Sequence, residues 1–425
     1  MKKAVRSIKE FAALAAEIEK LPNEMDRIAA FCDCYVTEDA VPKNLLHGDP
    51  FSAGYHQACK EFLIALAGID GYDPRKNERS DFLDGLESGH YVPSVYRYSD
   101  SRMLGDSFSA TGAIFQTLDV RAGDSILEYG AGDGQMALAL ARMGCDVTVV
   151  DIDERYLRII DRQAEAMGVR INTVHGLFGD PVPGKQFDRI IFYEAFHHSL
   201  EHAETLIKLR ANLKPTGRLV LAGEPIMARD SYWRPIVPFA WGPRLDGLSL
   251  RSTRSHGWCE LGFQREYLIE KMMRAGWLVR FTKCIATDRG DVYQAELAGQ
   301  TVTVGTPYVI ETIVNDDGWF DGEGATRWTR GNASIGLDQT KQAPNISVVL
   351  HNFLPVERHV VLTVGKNRLG AILEAGETRT VALDLPDGYA TLHITCEPKS
   401  ISGVIPGSGD DRRVGIAVST ITYGC

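Results

Sequence analysis

Residues 125–134, which read SILEYGAGDG, place a short apolar run directly before a glycine-rich loop. The run at 125–129 is typical of a strand buried inside a parallel sheet. A helical pattern follows at 135–143 and stops at Gly144. Glycine residues between a strand and a helix let the backbone turn sharply and approach a ligand closely. The stretch therefore predicts a ligand-binding turn at the carboxyl edge of an α/β sheet.

Apolar runs and amphipathic helical stretches continue to alternate from residue 109 to residue 298. A long insertion at 225–262 interrupts this alternation. Strands that alternate with helices form parallel sheets built from repeated β-α units, so we predict one α/β domain over residues 109–298. The predicted strands of its sheet cover residues 125–129, 146–150, 170–174, 188–192 and 218–222.

The two flanking regions have different patterns. Residues 1–108 show helical periodicity, and we predict a helical N-terminal region there. Residues 299–425 carry short β-branched runs between turn residues, and that spacing predicts an all-β sandwich. Trp319, Phe320 and Trp328 can stack on sugar rings or form the core of such a sandwich, and we favour the core.

The composition of the chain limits the classes of protein to which it can belong. The 425 residues are 44% hydrophobic and 24% charged, which is typical of a globular protein with two or three domains. A net charge of −10 argues against a nucleic-acid binder, because phosphate neutralisation needs clustered Lys and Arg. No stretch approaches the roughly 20 apolar residues of a membrane helix, and Arg6, Lys9 and Glu10 interrupt any N-terminal signal segment. We therefore expect a cytoplasmic protein.

Two acids flank the glycine loop. Glu128 lies two residues before the first glycine, where a carboxylate can receive a ligand ammonium group but would repel a pyrophosphate. Asp151 ends the second strand, where an acid can accept two ribose hydroxyls. The dinucleotide pattern G-x-G-x-x-G would need glycine where Gln135 stands, which disfavours a nicotinamide dehydrogenase.

Over residues 109–298 the sequence resembles the class I S-adenosylmethionine-dependent methyltransferases. The resemblance implies a Rossmann-like domain that binds S-adenosylmethionine and releases S-adenosylhomocysteine. It rests on EYGAGDG at 128–134, VVDID at 149–153, FDRIIFYEAFHH at 187–198 and LKPTGRLVL at 213–221.

The resemblance also implies roles for the residues of these motifs. The glycine loop and Glu128 would hold the methionine part of the cofactor, Asp151 the ribose, and Ile152 the adenine. Members of the family often carry Asp where Leu177 or Phe178 stands, so this chain departs from the pattern near the adenine. The residues implied to bind the cofactor are Glu128, Gly130, Ala131, Gly132, Gly134, Asp151, Ile152, Gly176, Leu177, Tyr193, Tyr96 and Arg97.

Tyr96 and Arg97 are the two cofactor candidates that lie before the first strand. In the family, a segment at this place folds over the cofactor, so either side chain would meet the methionine carboxylate. An ordinary loop between domains fits the same stretch equally well.

Methyl transfer to an alcohol needs a base, because an unactivated hydroxyl is a poor nucleophile. The fourth strand ends at the ligand-facing edge, so His197 and His198 emerge where an acceptor would sit. We predict that His197 or His198 is the base and favour His198, because the comparable loop of the family that the sequence resembles often ends in a histidine. Alternatively, one of them orders the loop and the other lies on the surface. Glu224 either orients that histidine, binds an acceptor hydroxyl or bonds to local backbone. We predict no metal, because Asp151 and Asp153 are assigned to the cofactor and a helix cap.

Motifs in the insertion indicate which kind of acceptor receives the methyl group. The stretches WGPRLD at 241–246 and GWCELGF at 257–263 are similar to a bacterial subgroup associated with surface-polysaccharide biosynthesis. That similarity implies methyl transfer to a sugar hydroxyl of a glycan intermediate. His256 and Glu260 are a weaker candidate base pair, since long insertions more often form lids or packing.

The C-terminal module would then bind glycan or dock onto glycan-assembly enzymes. One alternative is a methyltransferase for a non-sugar small molecule or a protein, which would be favoured if the module proved dispensable for activity. The other is a non-catalytic glycan-binding scaffold, which would bind the cofactor without turnover.

Overall fold

The computed structural model describes residues 3–79, 101–228, 236–299, 301–304, 318–388 and 391–424. The chain forms two compact units. The first comprises Met1–Leu268 and Thr282–Val292, and the second comprises Ile269–Phe281 and Tyr293–Cys425. The domain boundaries expected at residues 108 and 298 remain predictions.

The N-terminal region of the first unit is mainly helical. Ser7, Asn23 and Ser52 each accept a backbone N–H at the start of a helix, which satisfies groups that the helix itself leaves unbonded. A short parallel pair of strands accompanies these helices. The elements are β1 (Lys3–Val5), α1 (Ile8–Ile18), α2 (Glu24–Cys32), β2 (Cys34–Val36), α3 (Lys43–His47), α4 (Ala53–Ala67) and α5 (Pro74–Asn77).

Five parallel strands form the centre of the first unit. They are β3 (Ser125–Tyr129), β4 (Asp146–Asp151), β5 (Ile171–His175), β6 (Phe187–Tyr193) and β7 (Leu213–Ala222). Their order is β7-β6-β3-β4-β5, and all four pairings are parallel. The chain therefore changes direction across the sheet between β3 and β6, which is where ligands bind in open α/β sheets.

These strands match the predicted ones closely, and they confirm the predicted Rossmann-like α/β class. β7 starts five residues earlier than predicted, at Leu213, after an irregular register between Phe187 and Arg189 of β6. Pro215 and Gly217 are turn residues by composition, so a strand through them was not expected. The helices of this part are α6 (Ser101–Leu118), α7 (Gln135–Arg142), α8 (Glu154–Met167), α9 (His202–Leu209), α10 (Gly247–His256) and α11 (Arg265–Arg274).

Apolar residues from both faces of the sheet are fully buried. Val149 on β4, Ile191 on β6 and Val220 on β7 are each 0% exposed on one face, and Ile190 and Leu219 are 0% exposed on the other. Complete burial explains why these strands read as continuous apolar runs rather than as an alternating pattern.

The predicted insertion folds as a small sheet around α10. Its strands are β8 (Ile226–Met227), β9 (Trp241–Pro243) and β10 (Leu261–Gln264), in the order β8-β10-β9. β10 pairs in parallel with β8 and antiparallel with β9.

The second unit is rich in antiparallel strands, as the sequence predicted for the C-terminal region. One sheet has the order β14-β15-β24-β17-β20, with β13 also paired to β24, and another has the order β16-β21-β18-β19. The elements from β11 onward are β11 (Trp277–Thr282), β12 (Val292–Leu297), β13 (Thr301–Thr303), β14 (Trp319–Glu323), β15 (Thr326–Thr329), β16 (Asn332–Gly336), β17 (Asn345–His351), β18 (Arg358–Val364), β19 (Asn367–Leu373), β20 (Thr378–Asp384), β21 (Thr391–Cys396), β22 (Lys399–Ser400), α12 (Ile401–Val404), β23 (Arg413–Val414) and β24 (Ala417–Tyr423).

The tryptophans of this unit are part of its interior. Trp319 and Trp328 are 4% and 5% exposed, so neither offers a free face for a sugar ring. Phe320 is covered by the Arg330 guanidinium, 4.2 Å from the ring centre. Among the described helices of the whole chain, none combines the length and the apolar character needed to cross a membrane.

Candidate active site

The three loop glycines after β3 all have left-handed backbone conformations, but the space around each of them differs. A Cβ at Gly134 would lie 2.6 Å from Ile160 Cγ1, and one at Gly130 would lie 2.9 Å from Ala195 Cβ. Those two glycines permit close packing. A Cβ at Gly132, where φ is +54°, would meet no atom within 4 Å. The backbone at Gly132 is therefore open to a ligand.

Asp151 ends β4 and is 5% exposed. Its Oδ1 atom accepts a hydrogen bond from the backbone N–H of Asp153 at 2.9 Å. Burial raises the pKa of Asp151 to about 7, although the hydrogen bond from Asp153 opposes the shift. A ligand that donates to this carboxylate would therefore favour its ionised form.

Glu128 is also buried, at 2% exposure, and no described group donates a hydrogen bond to its Oε2 atom. Burial and the charge of Asp133 raise the pKa of Glu128 to about 8. An unpartnered buried carboxylate oxygen is costly unless a ligand or a proton satisfies it. Glu128 thus has the property expected of a residue that receives a ligand cation.

A cavity of about 330 Å³ lies at the carboxyl edge of the parallel strands. Of the residues predicted from sequence, those that line it are Gly130, Gly132, Asp151, Ile152, Leu177 and His198. Those that do not line it are Glu128, Ala131, Gly134, Gly176, Tyr193, His197 and Glu224. Tyr96 and Arg97 lie outside the described residues.

Glu224 holds the loop that follows β6. Its Oε1 atom accepts the backbone N–H of Ala195 at 2.9 Å and of Phe196 at 2.8 Å, and its Oε2 atom accepts that of His197 at 3.1 Å. The same Oε2 lies 2.8 Å from His197 Nδ1. Glu224 thus bonds to local backbone and to His197, whereas His198, the favoured base, bonds to Glu78 instead.

His197 is enclosed, with its side chain 8% exposed. Burial and the neighbouring His198 lower the pKa of His197 well below its usual value, so its ring is neutral. The Glu224 carboxylate beside Nδ1 indicates that Nδ1 carries the ring proton. Nε2 is then unprotonated, and it lies 3.7 Å from Glu260 Oε2. Glu260 is bonded in turn to Arg244, and this guanidinium keeps the pKa of Glu260 low despite burial.

His198 faces the cavity, and its partner comes from the N-terminal region. Nδ1 of His198 lies 2.9 Å from Glu78 Oε2, while Glu78 Oε1 accepts the Tyr72 hydroxyl at 2.8 Å and the Cys259 N–H at 2.7 Å. Burial alone would lower the pKa of His198, but the bond to Glu78 and nearby carboxylate charges raise that pKa to about 9. The edge of the ring faces Trp258, with centroids 5.9 Å apart.

Several residues of the cavity wall had no predicted role. Lys60, Tyr72, Pro74 and Glu78 come from the N-terminal helical region, and Trp258 comes from the GWCELGF stretch of the insertion, which was quoted only as a resemblance. Their positions depend on how distant segments pack, so no local pattern could have found them.

Glu194 also lines the cavity, and its backbone has an unusual conformation. It follows β6 with a φ of +50°, which is uncommon for a residue other than glycine. Arg289 binds both of its carboxylate oxygens, at 2.7 and 2.8 Å. Near the departure noted at Leu177, Asp180 accepts the Leu177 backbone N–H at 2.9 Å.

Comparison with known proteins places the central segment in a family. Residues 126–217 match the family model described as a methyltransferase domain. The chain is 29% identical over 113 residues to the mitochondrial ubiquinone biosynthesis O-methyltransferase of Schizosaccharomyces pombe, covering 26% of this chain and 41% of that protein. It is 35% identical over 140 residues to the protein-L-isoaspartate O-methyltransferase of Ruegeria pomeroyi, covering 31% of this chain and 65% of that protein.

The chain thus spans less than half of the first relative and just under two thirds of the second. Among solved structures, the chain is similar to magnesium protoporphyrin IX methyltransferase from Synechocystis PCC 6803 with bound S-adenosylmethionine. The identity is 13%, the TM-score is 0.38, and the match covers 54% of this chain and 99% of that one. Residues 126–217, which include the glycine loop, therefore match a methyltransferase domain, and their strands have the order of an open α/β sheet.

Proposed function

We propose that the protein is an S-adenosylmethionine-dependent methyltransferase that O-methylates a sugar hydroxyl of a glycan or polysaccharide intermediate. One observation carries this proposal. A single cavity joins the open glycine loop and Asp151 on one side to His198, Glu78 and Trp258 on the other. A cofactor half and an acceptor half therefore meet in one cavity, as an in-line displacement requires.

The cofactor half fits S-adenosylmethionine residue by residue. Gly132 leaves room for the ligand against the backbone, and the unbonded Oε2 of Glu128 suits the methionine ammonium group. Asp151 would accept the ribose hydroxyls, while Ile152 and Leu177 would pack on the adenine. When bound, the cofactor supplies a methyl group activated by its sulfonium.

In the acceptor half, His198 is the proposed base. Its Nδ1 atom is engaged by Glu78, so Nε2 is the nitrogen that can take the hydroxyl proton. Because the pKa of His198 is raised to about 9, the neutral ring that acts as the base becomes more populated as pH rises towards 9, and turnover should rise with it. Glu78 is itself fixed by Tyr72 and the Cys259 backbone, which orients the imidazole ring. His197 and Glu224 would position this loop without touching the acceptor.

The lining of the acceptor half supports a polyhydroxylated substrate. Tyr72 and Trp258 offer aromatic faces, and Glu201 and Glu204 offer carboxylates for hydroxyl groups. Both named relatives are O-methyltransferases, which supports an oxygen acceptor. Neither name mentions a sugar, so the sugar itself rests on the cavity lining and on the resemblance of the insertion.

Methyl transfer into fractionated cell extract tests the function. Purified protein and labelled S-adenosylmethionine are added to an extract of the source organism that lacks this protein, with the Asp151→Ala variant as control. We expect label in glycan or lipid-linked glycan only with the unaltered protein. Label in protein or small molecules alone would contradict the sugar acceptor but retain the methyltransferase. No label above the variant's would contradict the proposed function.

Binding of S-adenosylhomocysteine should strengthen as pH rises. The fold raises the pKa of Asp151 to about 7 and that of Glu128 to about 8, and the ionised carboxylates are the forms that accept hydroxyl and ammonium groups. From about pH 6 to about pH 8.5, ionisation of Asp151 alone should increase the affinity about tenfold.

The ligand-free protein should lose stability as pH rises from about 4 to about 8, because the fold raises the pKa of both carboxyls and is favoured only while they are protonated. Calorimetric titration and thermal unfolding at several pH values measure the two effects. Asp151→Asn is the control, because its side-chain amide cannot ionise. In this variant, the part of the affinity increase that comes from ionisation of Asp151 should disappear. An affinity that does not depend on pH in the unaltered protein would contradict this account.

A further inference from the structure

Potential metal-ligand atoms of three side chains lie close together at the wall of the cavity. One ligand atom each from His197, His198 and Glu260 lies within 4.8 Å of the other two. We propose that these three residues bind one divalent metal ion that imidazole ligands favour, such as Zn²⁺. Two histidines and one carboxylate are a common donor set for such ions. This proposal departs from the prediction of no metal that was made from the sequence.

The hydrogen bonds of the two histidines support this site. Nδ1 of His197 is held by Glu224 at 2.8 Å, and Nδ1 of His198 is held by Glu78 at 2.9 Å. Metal-bound histidines almost always donate their other ring N–H to a carboxylate or carbonyl, which fixes the ring and makes it more basic. Both rings have this arrangement, and in both it leaves Nε2 as the nitrogen for a metal ion.

The balance of buried charge also favours a cation. The carboxylates of Glu78, Glu224 and Glu260 have side chains 10%, 0% and 8% exposed. Arg244 pairs with Glu260, and His198 pairs with Glu78. Buried charges are costly unless they are paired or bind metals. A metal ion held by His197, His198 and Glu260 would add positive charge to this carboxylate-rich group.

The position of the site relates it to the cavity. Of the three residues, His198 lines the cavity, while His197 and Glu260 do not. An ion bound by three protein atoms has at least one position left for water or substrate, as catalytic zinc sites do. In the metal-loaded protein, the ion would occupy His198 Nε2 in place of a proton, so His198 would act as the base only in the metal-free protein. Metal binding itself does not depend on the proposed methyl transfer.

Metal titration tests the proposal on the full chain after treatment with a chelator and desalting. Calorimetric titration with ZnCl₂ should give one Zn²⁺ per chain, and CoCl₂ should produce visible absorption typical of nitrogen and oxygen ligands. His198→Asn and Glu260→Gln should each weaken Zn²⁺ binding by about 100-fold or more. Glu78→Gln keeps all three ligands and should weaken it about 10- to 100-fold.

A matched control separates this site from adventitious binding. His359 and Glu357 form an exposed pair in the second unit, with 2.8 Å between His359 Nε2 and Glu357 Oε1. The double variant His359→Asn, Glu357→Gln should bind Zn²⁺ as the unaltered protein does. Thermal unfolding of every variant shows whether it is folded.

Two results would overturn the proposal: no stoichiometric Zn²⁺ or Co²⁺ binding to the unaltered protein, or unchanged binding in folded His198→Asn and Glu260→Gln. Titration with S-adenosylhomocysteine in parallel keeps the two proposals distinct. Cofactor binding without metal binding would contradict the metal site and leave the proposed methyltransferase function in place. Metal binding without cofactor binding would contradict the proposed methyltransferase function and leave the metal site in place.

Discussion

Replacement of His198 by alanine is expected to lower kcat by about 100- to 10,000-fold, which is the range that a general base contributes. The variant loses the Nε2 atom that faces the acceptor, and this atom is needed whether it takes a proton or holds a metal ion. Affinity for S-adenosylhomocysteine should stay within about twofold, because the cofactor half of the cavity is formed by other residues.

Steady-state kinetics with the acceptor found by methyl labelling, together with calorimetric titration of the product, measures both quantities. His359→Ala is a suitable control, because that histidine is exposed and belongs to the second unit. Full turnover in a folded His198→Ala variant would place the base elsewhere. A parallel loss of cofactor affinity would instead show that His198 supports the cofactor half.

Replacement of Asp151 by alanine is expected to weaken S-adenosylhomocysteine binding by about 100-fold or more. Hydrogen bonds to a charged group contribute about 1.5–3 kcal/mol each, and a ribose would donate two of them to this carboxylate. The ligand-free variant should remain folded, because a buried carboxyl with a raised pKa adds little stability once it ionises.

Asp146→Ala provides the matched control for that experiment. Asp146 begins the same strand that Asp151 ends, but its side chain is 57% exposed and pairs with Lys185. The control should bind the ligand as the unaltered protein does. Unchanged affinity in Asp151→Ala would contradict the ribose assignment.

The sequence was sufficient to predict the sheet and the glycine loop, because both depend on short-range patterns. The runs at β3 and β4 are mainly apolar, and every residue after the first of each strand is buried. Glycine is needed where the loop turns. Gly132 and Asp151 then lie where parallel strands end, so their place in the cavity follows from the strand order.

The acceptor half could not be predicted in the same way. Glu78 lies 120 positions before its partner His198, and no local pattern links them. His197 and His198 are neighbours with opposite environments, one enclosed by Glu224 and Glu260 and the other in the cavity wall. Which of two adjacent histidines faces the ligand depends on the turn after β6, and Glu224 sets this turn through three backbone hydrogen bonds.

The most direct test of the central claim is the equilibrium binding of S-adenosylhomocysteine to the purified, unaltered protein, compared with the binding of NAD⁺. The account predicts one S-adenosylhomocysteine per chain with a Kd of about 1–100 µM, and no NAD⁺ binding in that range. Failure to bind S-adenosylhomocysteine at millimolar concentration, or equal binding of NAD⁺, would contradict it.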